Sequence, residues 1–499
     1  MADTKREIER KYESDESGLP DLTGVAGVAD VVDKGVAELD ATYYDTADER
    51  LAAASITLRR RTGGSDAGWH LKFPVGPDAR DEIQAPLSDD LPPALAGLVR
   101  SRVRDAELVP VVRLRSARDL RDLVNADRRL LAEVSVDAVR AERLTAGGGT
   151  AQWTEIEVEL ADGGDPEFLD KVEKRLRKAG VRPSKSASKL ARALKETAPT
   201  KPGPGPVEDP ETAGDHVLAY VRAQRDAIVE LDPAVRQDAE DSVHSMRVAT
   251  RRMRSTFKSY GKILDRTVTD PIGDELKWLA GELGVDRDRE VLNERLMAAL
   301  DEVPDTLVSG PVADRVSKWA GDRPGGASGR LIGVLDSHRY LALLDSLDAV
   351  LADPPLRKAA GKDPGKTLPK AVRKDFGKVS ALVEQALELE PGTDRDVAIH
   401  EARKKTKRTR YAAEAATPAL GKPAKDLTKT MKSLQNLLGE HQDSVMARQT
   451  LRELSAVAHA AGENAFTYGL LYGREEQRAA TVEAELPGTW KKITGGPMV

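Results

Sequence analysis

Along the first 197 residues, apolar and polar positions tend to alternate one by one, whereas from about residue 211 apolar positions recur every three to four. A period of two belongs to strands and a period near 3.6 to helices. The chain therefore reads as a β-rich part followed by an α-helical part. Eight alternating stretches stand out: Thr4–Glu13, Ala41–Thr46, Ser55–Arg61, Trp69–Phe73, Arg80–Leu87, Val109–Arg115, Leu131–Val139 and Ala151–Leu160. Eight antiparallel strands are enough to close a barrel. Helices are expected at Asp48–Ala54, Leu91–Arg104 and Pro166–Ala179, with a last one holding Lys185 and Lys189. Residues 198–210 carry five prolines and two glycines, a composition that stays extended and builds no core. The expected architecture is α+β in two domains: an eight-stranded antiparallel β barrel over 1–197, a linker over 198–210, and an all-α domain over 211–495.

The polar faces of these strands sort by charge. Glu7, Glu9, Lys11 and Glu13 share one face of the first strand, with Ile8, Arg10 and Tyr12 on the other. Thr57, Arg59 and Arg61 fall together, as do His70 and Lys72, and Arg113 and Arg115. Glu133, Ser135 and Asp137 share a face, and so do Glu155, Glu157 and Glu159. Two like charges about 4 Å apart cost roughly 4 kcal/mol at an effective dielectric near 20. Such faces either stay in water or are filled with opposite charge. Strands that segregate acids from bases make more sense facing inward, the acids holding divalent cations and the bases an anion. Carboxylate oxygens are hard ligands for Mg²⁺, and arginine and lysine suit phosphate. Alternation alone does not say which face is inside.

Charge then narrows the partners. Charged residues make up 32% of the chain but the net charge is only −6, so local basic patches matter more than the sum. The chain has no cysteine, which excludes disulfides and thiolate metal sites. The polar N-terminus and the lack of any run of 18 apolar residues lead to the expectation of a cytoplasmic protein with no membrane span.

Two helical stripes repeat in the second part. His244, Arg247, Arg251 and Arg254 are spaced i, i+3, i+7, i+10, and His400, Arg403, Lys407 and Arg410 repeat the pattern 156 residues later. After each stripe comes a similar expected helix start, Leu283-Gly284 to Asp288 and, 155 residues on, Leu438-Gly439 to Asp443. The domain reads as an internal duplication, about 211–352 and 371–495, around a Pro/Gly-rich joint at 353–370. A basic stripe can be a solvated face, can be matched internally by acids such as Asp288 and Asp443, or can bind a polyanion. Few aromatics and no nucleic-acid-binding motif argue against DNA or RNA, and no clustered carboxylates or cysteines accompany the histidines to make a metal site.

The ordered set Glu7-x-Glu9-x-Lys11, Tyr44-Asp45-Thr46, Arg59-x-Arg61, Trp69-x-Leu71-Lys72, Glu155-x-Glu157-x-Glu159 and Ser184-Lys185…Lys189 resembles the CYTH, or triphosphate tunnel metalloenzyme, family over all of 1–197. The resemblance implies a tunnel in which Glu7, Glu9, Glu157 and Glu159 hold Mg²⁺ or Mn²⁺. Lys11, Arg59, Arg61, Lys72, Arg113 and Arg115 would grip a triphosphate, Glu133 and Asp137 would be further acidic tunnel residues, and Lys185 would stand where a C-terminal helix closes one end. Glu7, Glu9, Lys11, Glu157 and Glu159 would carry catalysis, a metal-assisted attack of water on a terminal phosphoryl group. Family members include inorganic triphosphatases, thiamine triphosphatases and some adenylyl cyclases.

Residues 211–495 resemble the CHAD domain, a helical module often fused behind CYTH, with the duplicated His-x-x-Arg stripes as its marks. This resemblance implies two four-helix halves with a basic channel for inorganic polyphosphate between them. Its ligands would be His244, Arg247, Arg251, Arg252, Arg254, His400, Arg403, Lys404, Lys407, Arg408 and Arg410. The expected function is triphosphate hydrolysis with polyphosphate binding. The alternatives are a polyphosphate receptor without turnover that localises to polyphosphate granules and, ranked last, another triphosphate-using enzyme such as a thiamine triphosphatase or an adenylyl cyclase.

Overall fold

The computed structural model describes residues 4–14, 18–145, 147–198, 209–285, 287–321 and 327–496. Most of the expected 198–210 linker lies outside the described residues, and so does Asp286 of the first Leu-Gly repeat. The chain divides into two compact units, Met1–Pro206 and Val207–Val499.

The first unit is a closed antiparallel barrel. Its strands are β1 (Thr4–Ser14), β2 (Asp30–Asp45), β3 (Thr57–Thr62), β4 (Gly68–Pro74), β5 (Ala79–Pro86), β6 (Val109–Val124), β7 (Leu130–Arg143) and β8 (Thr150–Leu160). They run in the order β5-β4-β3-β2-β6-β7-β8-β1, and β1 pairs back to β5 to close the ring. A two-residue strand β9 (Arg182–Pro183) pairs with the end of β1. Within β1, Thr4–Ile8 pair with β5 and Glu9–Ser14 with β8, the stagger that a closed barrel requires. β2 and β6 are longer than their sequence patterns suggest. Asp30–Asp40 and Ser116–Val124 extend them as a partly exposed ladder, where both faces carry charge and no alternation shows.

The helices decide which face is inside. They are α1 (Arg50–Ala53), α2 (Pro93–Val103), α3 (Glu167–Lys178) and α4 (Lys189–Glu196). Phe168, Leu169, Val172 and Leu176 of α3 pack on Tyr12, Leu123, Val134, Ile156 and Val158. Leu95, Leu98 and Val99 of α2 pack on Leu58, Trp69, Leu71 and Ile83. The apolar faces of the strands thus point outward under helices, where burial stabilises them by roughly 25 cal/mol per Å². The polar faces are left to line the interior.

The second unit is helical: α5 (Ala213–Arg236), α6 (Ser242–Ser259), α7 (Arg266–Glu282), α8 (Arg287–Asp301), α9 (Val312–Gly321), α10 (Ala327–Leu335), α11 (His338–Ala352), α12 (Pro364–Glu388), α13 (Thr393–Leu420), α14 (Lys422–Ala460) and α15 (Phe466–Thr494). One core gathers α5, α6, α7 and α11 around Phe257, Tyr260 and Tyr340. Another gathers α12 to α15 around Phe376, Ile399, Leu434 and Trp490. The expected joint at 353–370 ends sooner, because Pro364 starts α12 at a position where a missing N–H costs nothing. The second Leu-Gly motif is not a helix start: Leu438–Asp443 lies inside the 39-residue α14, whereas in the first Leu283 and Gly284 directly follow α7 and Asp288 lies in α8. No described helix is long and apolar enough to cross a membrane.

Candidate functional site

The barrel interior holds a cavity of about 360 Å³ lined mainly by charged side chains. Strand register builds its acidic wall. Glu9 on β1 stands directly across from Glu159 on β8, which in turn stands across from Glu133 on β7. Glu7 is two residues along β1, on the same face. Burial, with Glu82 and Glu159 nearby, pushes the Glu7 carboxyl up to about 7 in spite of its contact with Lys72. Burial raises Glu133 as well. For Glu9 burial works in the same direction and is the largest single influence, but Lys11 at 2.7 Å and Lys72 together outweigh it and the carboxyl lies below its usual range.

One register step further, Glu157 accepts from Lys11 at 2.5 Å and Arg118 at 3.0 Å and lies 2.6 Å from Lys189. These three cations overcome burial and hold it well below the usual carboxylate range. Asp137 is fully buried, paired at 2.8 Å through both oxygens to Arg118 and at 2.9 Å to Lys189. Lys189 also reaches Glu155 at 2.7 Å.

The basic wall comes from β3, β4 and β5. Arg59 donates to the Tyr43 hydroxyl at 3.3 Å, and Arg61 is buried beside Asp66. Burial, with Arg59 and Arg118 close by, pushes Arg61 down to about 9. Arg80 is anchored on the carbonyls of Ser55 and Ala187. Glu82 sits amid these cations: its Oε1 faces His70 at 2.9 Å and its Oε2 accepts from Gln84 at 2.7 Å. Burial, with Arg59 and Arg61 nearby, pushes the His70 ring down to about 4, against the pull of Glu82.

The structure thus brings together Glu7, Glu9, Lys11, Arg59, Arg61, Lys72, Glu133, Glu157 and Glu159. It corrects three expectations. Arg113 and Arg115 point out of the barrel, where Arg113 grips Asp40 at 2.5 and 2.9 Å and Arg115 lies 3.6 Å from the same carboxylate. Inward residues of β6 are the even-numbered ones, so the tunnel cation there is Arg118. Lys185 is exposed, and the cation that α4 inserts among the acids is its first residue, Lys189. Lys5, Arg80 and Glu82 also line the cavity. Their signal was parity: each continues the inward face of a strand already recognised.

In the helical unit the stripes lie on α6 and α13, which pack together. Arg247 pairs with Asp288 through both nitrogens at 2.6 and 3.0 Å, and Arg403 lies 3.9 Å from Asp443. Arg251 and Lys407 have no carboxylate in salt-bridge range among the described residues. Burial, then Arg403, Arg251 and Arg247, push Lys407 down to about 7. Thr250 and Thr406, again 156 apart, are buried in both copies and donate to the carbonyls of Arg247 and Ala402. Tyr411 breaks the repeat for a visible reason: Arg252 from one copy and Arg410 from the other lie over its ring, at 5.8 and 4.8 Å. Lys404 pairs with Glu401 on the surface, Arg408 turns to Asp375 and Ser259, His400 contacts Gln442, and His244 and Arg254 remain on α6. A separate group, Asp396, His441 and Glu483, offers three ligand atoms, but Arg448 and Arg395 already balance its carboxylates.

Comparison with known proteins bears on both units. Residues 5–194 match the family model of the CYTH domain and residues 219–452 that of the CHAD domain. An uncharacterized protein of Mycobacterium tuberculosis is 38% identical over 505 residues, covering 98% of this chain and 96% of that one. Among solved structures, PptA from Streptomyces chartreusis is 21% identical with a TM-score of 0.48, covering 56% of this chain and 100% of its own. The CHAD domain from the plant Ricinus communis is 22% identical with a TM-score of 0.44, covering 60% and 98%.

Proposed function

The chain belongs to the family in which a CYTH domain is followed by a CHAD domain, and from that premise we propose that the barrel hydrolyses inorganic triphosphate with a divalent cation while the helical unit holds inorganic polyphosphate. The observation that carries the reading is the in-register row Glu9, Glu159 and Glu133, joined by Glu7, sharing one cavity with Arg59, Arg61, Lys72 and Arg80. The acids fit Mg²⁺ or Mn²⁺: they are hard oxygen donors on neighbouring strands, and their mutual repulsion, visible in the raised Glu7 and Glu133, is what a dication relieves. Bound there, the cation would polarise the phosphoryl group and help water attack it.

The chain's own residues do the rest. Arg59, Arg61, Lys72 and Arg80 bind and orient the phosphates, and a glutamate of the acidic wall orients the water. Glu157, held by three cations, keeps Lys11 and Arg118 in place. The cavity is at the small end of ligand sites, which run from about 300 to 1,000 Å³, and Tyr43 is its one aromatic lining residue among those described. Both features favour a bare chain of phosphates over a nucleotide or thiamine compound. In the helical unit, Arg251 and Lys407 have no carboxylate in salt-bridge range among the described residues and are lowered in spite of the more distant Asp288 and Asp443, which supports a polyanion between α6 and α13.

One observation favours a receptor without turnover: Lys72 and Lys11 already sit on Glu7 and Glu9 and compete with a cation for them. Orthophosphate release from triphosphate with Mg²⁺, then with EDTA, separates the two. Hydrolysis abolished by EDTA is expected, and Glu7→Gln with Glu9→Gln should lower the rate at least about 100-fold. Parent-level turnover in that double variant would sink the assignment.

A further inference from the structure

His70 is fully inside the barrel wall, 1% exposed, and both of its ring nitrogens face acceptors. Nδ1 lies 2.9 Å from Glu82 Oε1, and Nε2 lies 2.9 Å from the backbone carbonyl oxygen of Asp66. A neutral imidazole has one N–H. Whichever nitrogen carries it, the other would press its lone pair against an oxygen that has nothing to donate. Two good contacts at once need one more proton, on the ring or shared along the Nδ1···Oε1 line. Burial and the nearby Arg59 and Arg61 oppose a lone imidazolium even against the pull of Glu82, but a singly protonated ring leaves one of the two 2.9 Å contacts without a proton, and a proton shared along the Nδ1···Oε1 line satisfies both.

The placement of this pair gives it a role. Glu82 is the acid that β5 places among the cations of the basic wall, as the β3–β4 turn places Asp66 beside Arg61. Its Oε1 is 3.4 Å from Lys72 and 4.0 Å from Arg59, close enough to draw both away from a phosphate. Instead its oxygens are taken by His70 and Gln84. The other charged groups facing the pair are Arg61 from β3, Glu7 from β1 through Lys72, and Asp66 from the β3–β4 turn.

We propose that His70, in its doubly protonated form, is a positioning residue for phosphate recognition: it neutralises Glu82 and so leaves Arg59 and Lys72 under-compensated and directed at the substrate. The inference rests on the triphosphate reading above. It makes two substitutions act with opposite signs, which a merely structural role does not. In His70→Asn the amide can still donate to Glu82, but the positive charge is gone. Triphosphate affinity should fall about tenfold, with kcat changed much less. In Glu82→Gln the competing charge is gone, and affinity should rise by a similar factor. In the parent, affinity should weaken as pH rises through the titration of the pair, and both variants should lose that dependence.

The test joins two measurements on the full chain. The first is ¹⁵N NMR of the histidine ring at pH 7 without ligand, with His70→Asn identifying the signal. The second is calorimetry of triphosphate binding in EDTA, with circular dichroism to confirm that each variant folds. Two protonated ring nitrogens and opposite shifts in affinity are the expected result. A ring with a single proton overturns the proposal, and so do variants that shift affinity in the same direction. Parent protein that binds no triphosphate removes the functional reading together with the role built on it. That failure is recognisable, because the ring spectrum is read without ligand.

Discussion

At the scale of single residues, the barrel is built around charges that the fold tolerates at a cost. Glu7 shows the sign of that cost. Its folded-state carboxyl is raised from 4.5 to about 7 by burial. The folded state therefore binds its proton more tightly than the unfolded one, and stability falls as pH rises from 4.5 through 7. In EDTA, Glu7→Gln should stabilise the barrel by about 2–3 kcal/mol at pH 8 and by almost nothing at pH 4. Thermal melts at the two pH values check this, and the same variant should be inactive, so stability and function trade against each other at one carboxylate. Single residues also mark where the sequence was opaque. Arg113 and Arg115 form as regular a basic pair as Arg59 and Arg61, yet they face solvent and Asp40, while Arg118 faces the acids. Nothing in local spacing distinguishes these cases, because the inward parity of β6 is set by its partners β2 and β7.

At the scale of elements, the duplicated helices carry the clearest test. A Cβ built on Gly284 would lie 2.6 Å from the guanidinium of Arg247, whereas one on Gly439 would lie 3.2 Å from the nearest Arg403 nitrogen. Gly284→Ala should displace Arg247 and weaken polyphosphate binding several-fold. Gly439→Ala, inside the continuous α14, should instead stabilise the helix by about 0.5–1 kcal/mol with a small effect on binding. Binding isotherms and melts of the two variants check the asymmetry. Lys407 on α13 adds a pH dependence. Its folded-state value is depressed from 10.5 to about 7 by burial and by Arg403, Arg251 and Arg247. The cost of its charge is present in full below pH 7 and is relieved as pH rises toward 10.5, so Lys407→Gln should flatten that rise in stability. On the proposed reading polyphosphate supplies the missing negative charge, so its binding at pH 8 should take up about one proton. Calorimetry in two buffers of different ionisation enthalpy measures it.

At the scale of the whole molecule, the proposed function gives metal chemistry to one unit and polyanion binding to the other. EDTA should abolish triphosphate hydrolysis and leave polyphosphate binding intact, while raising salt should weaken the latter steeply, as expected for several lysine and arginine contacts to phosphate. The pieces 1–206 and 207–499, expressed apart, should each keep one of these properties; loss of both from either piece would contradict the assignment of one function to each unit. The sequence by itself determined the kinds of element, the charge carried by each strand face and the duplication of the basic stripe. Periods of two and of 3.6, and an offset of 156, are properties of order along the chain. Only the tertiary structure decided that the charged strand faces point inward. Alternation is symmetric between two faces, and it is α2 and α3, distant in sequence, that cover the apolar one. The same holds for Lys189 and Lys185. Both are lysines near the same helix start, and only the packing of α4 against the barrel places the first among Asp137, Glu155 and Glu157.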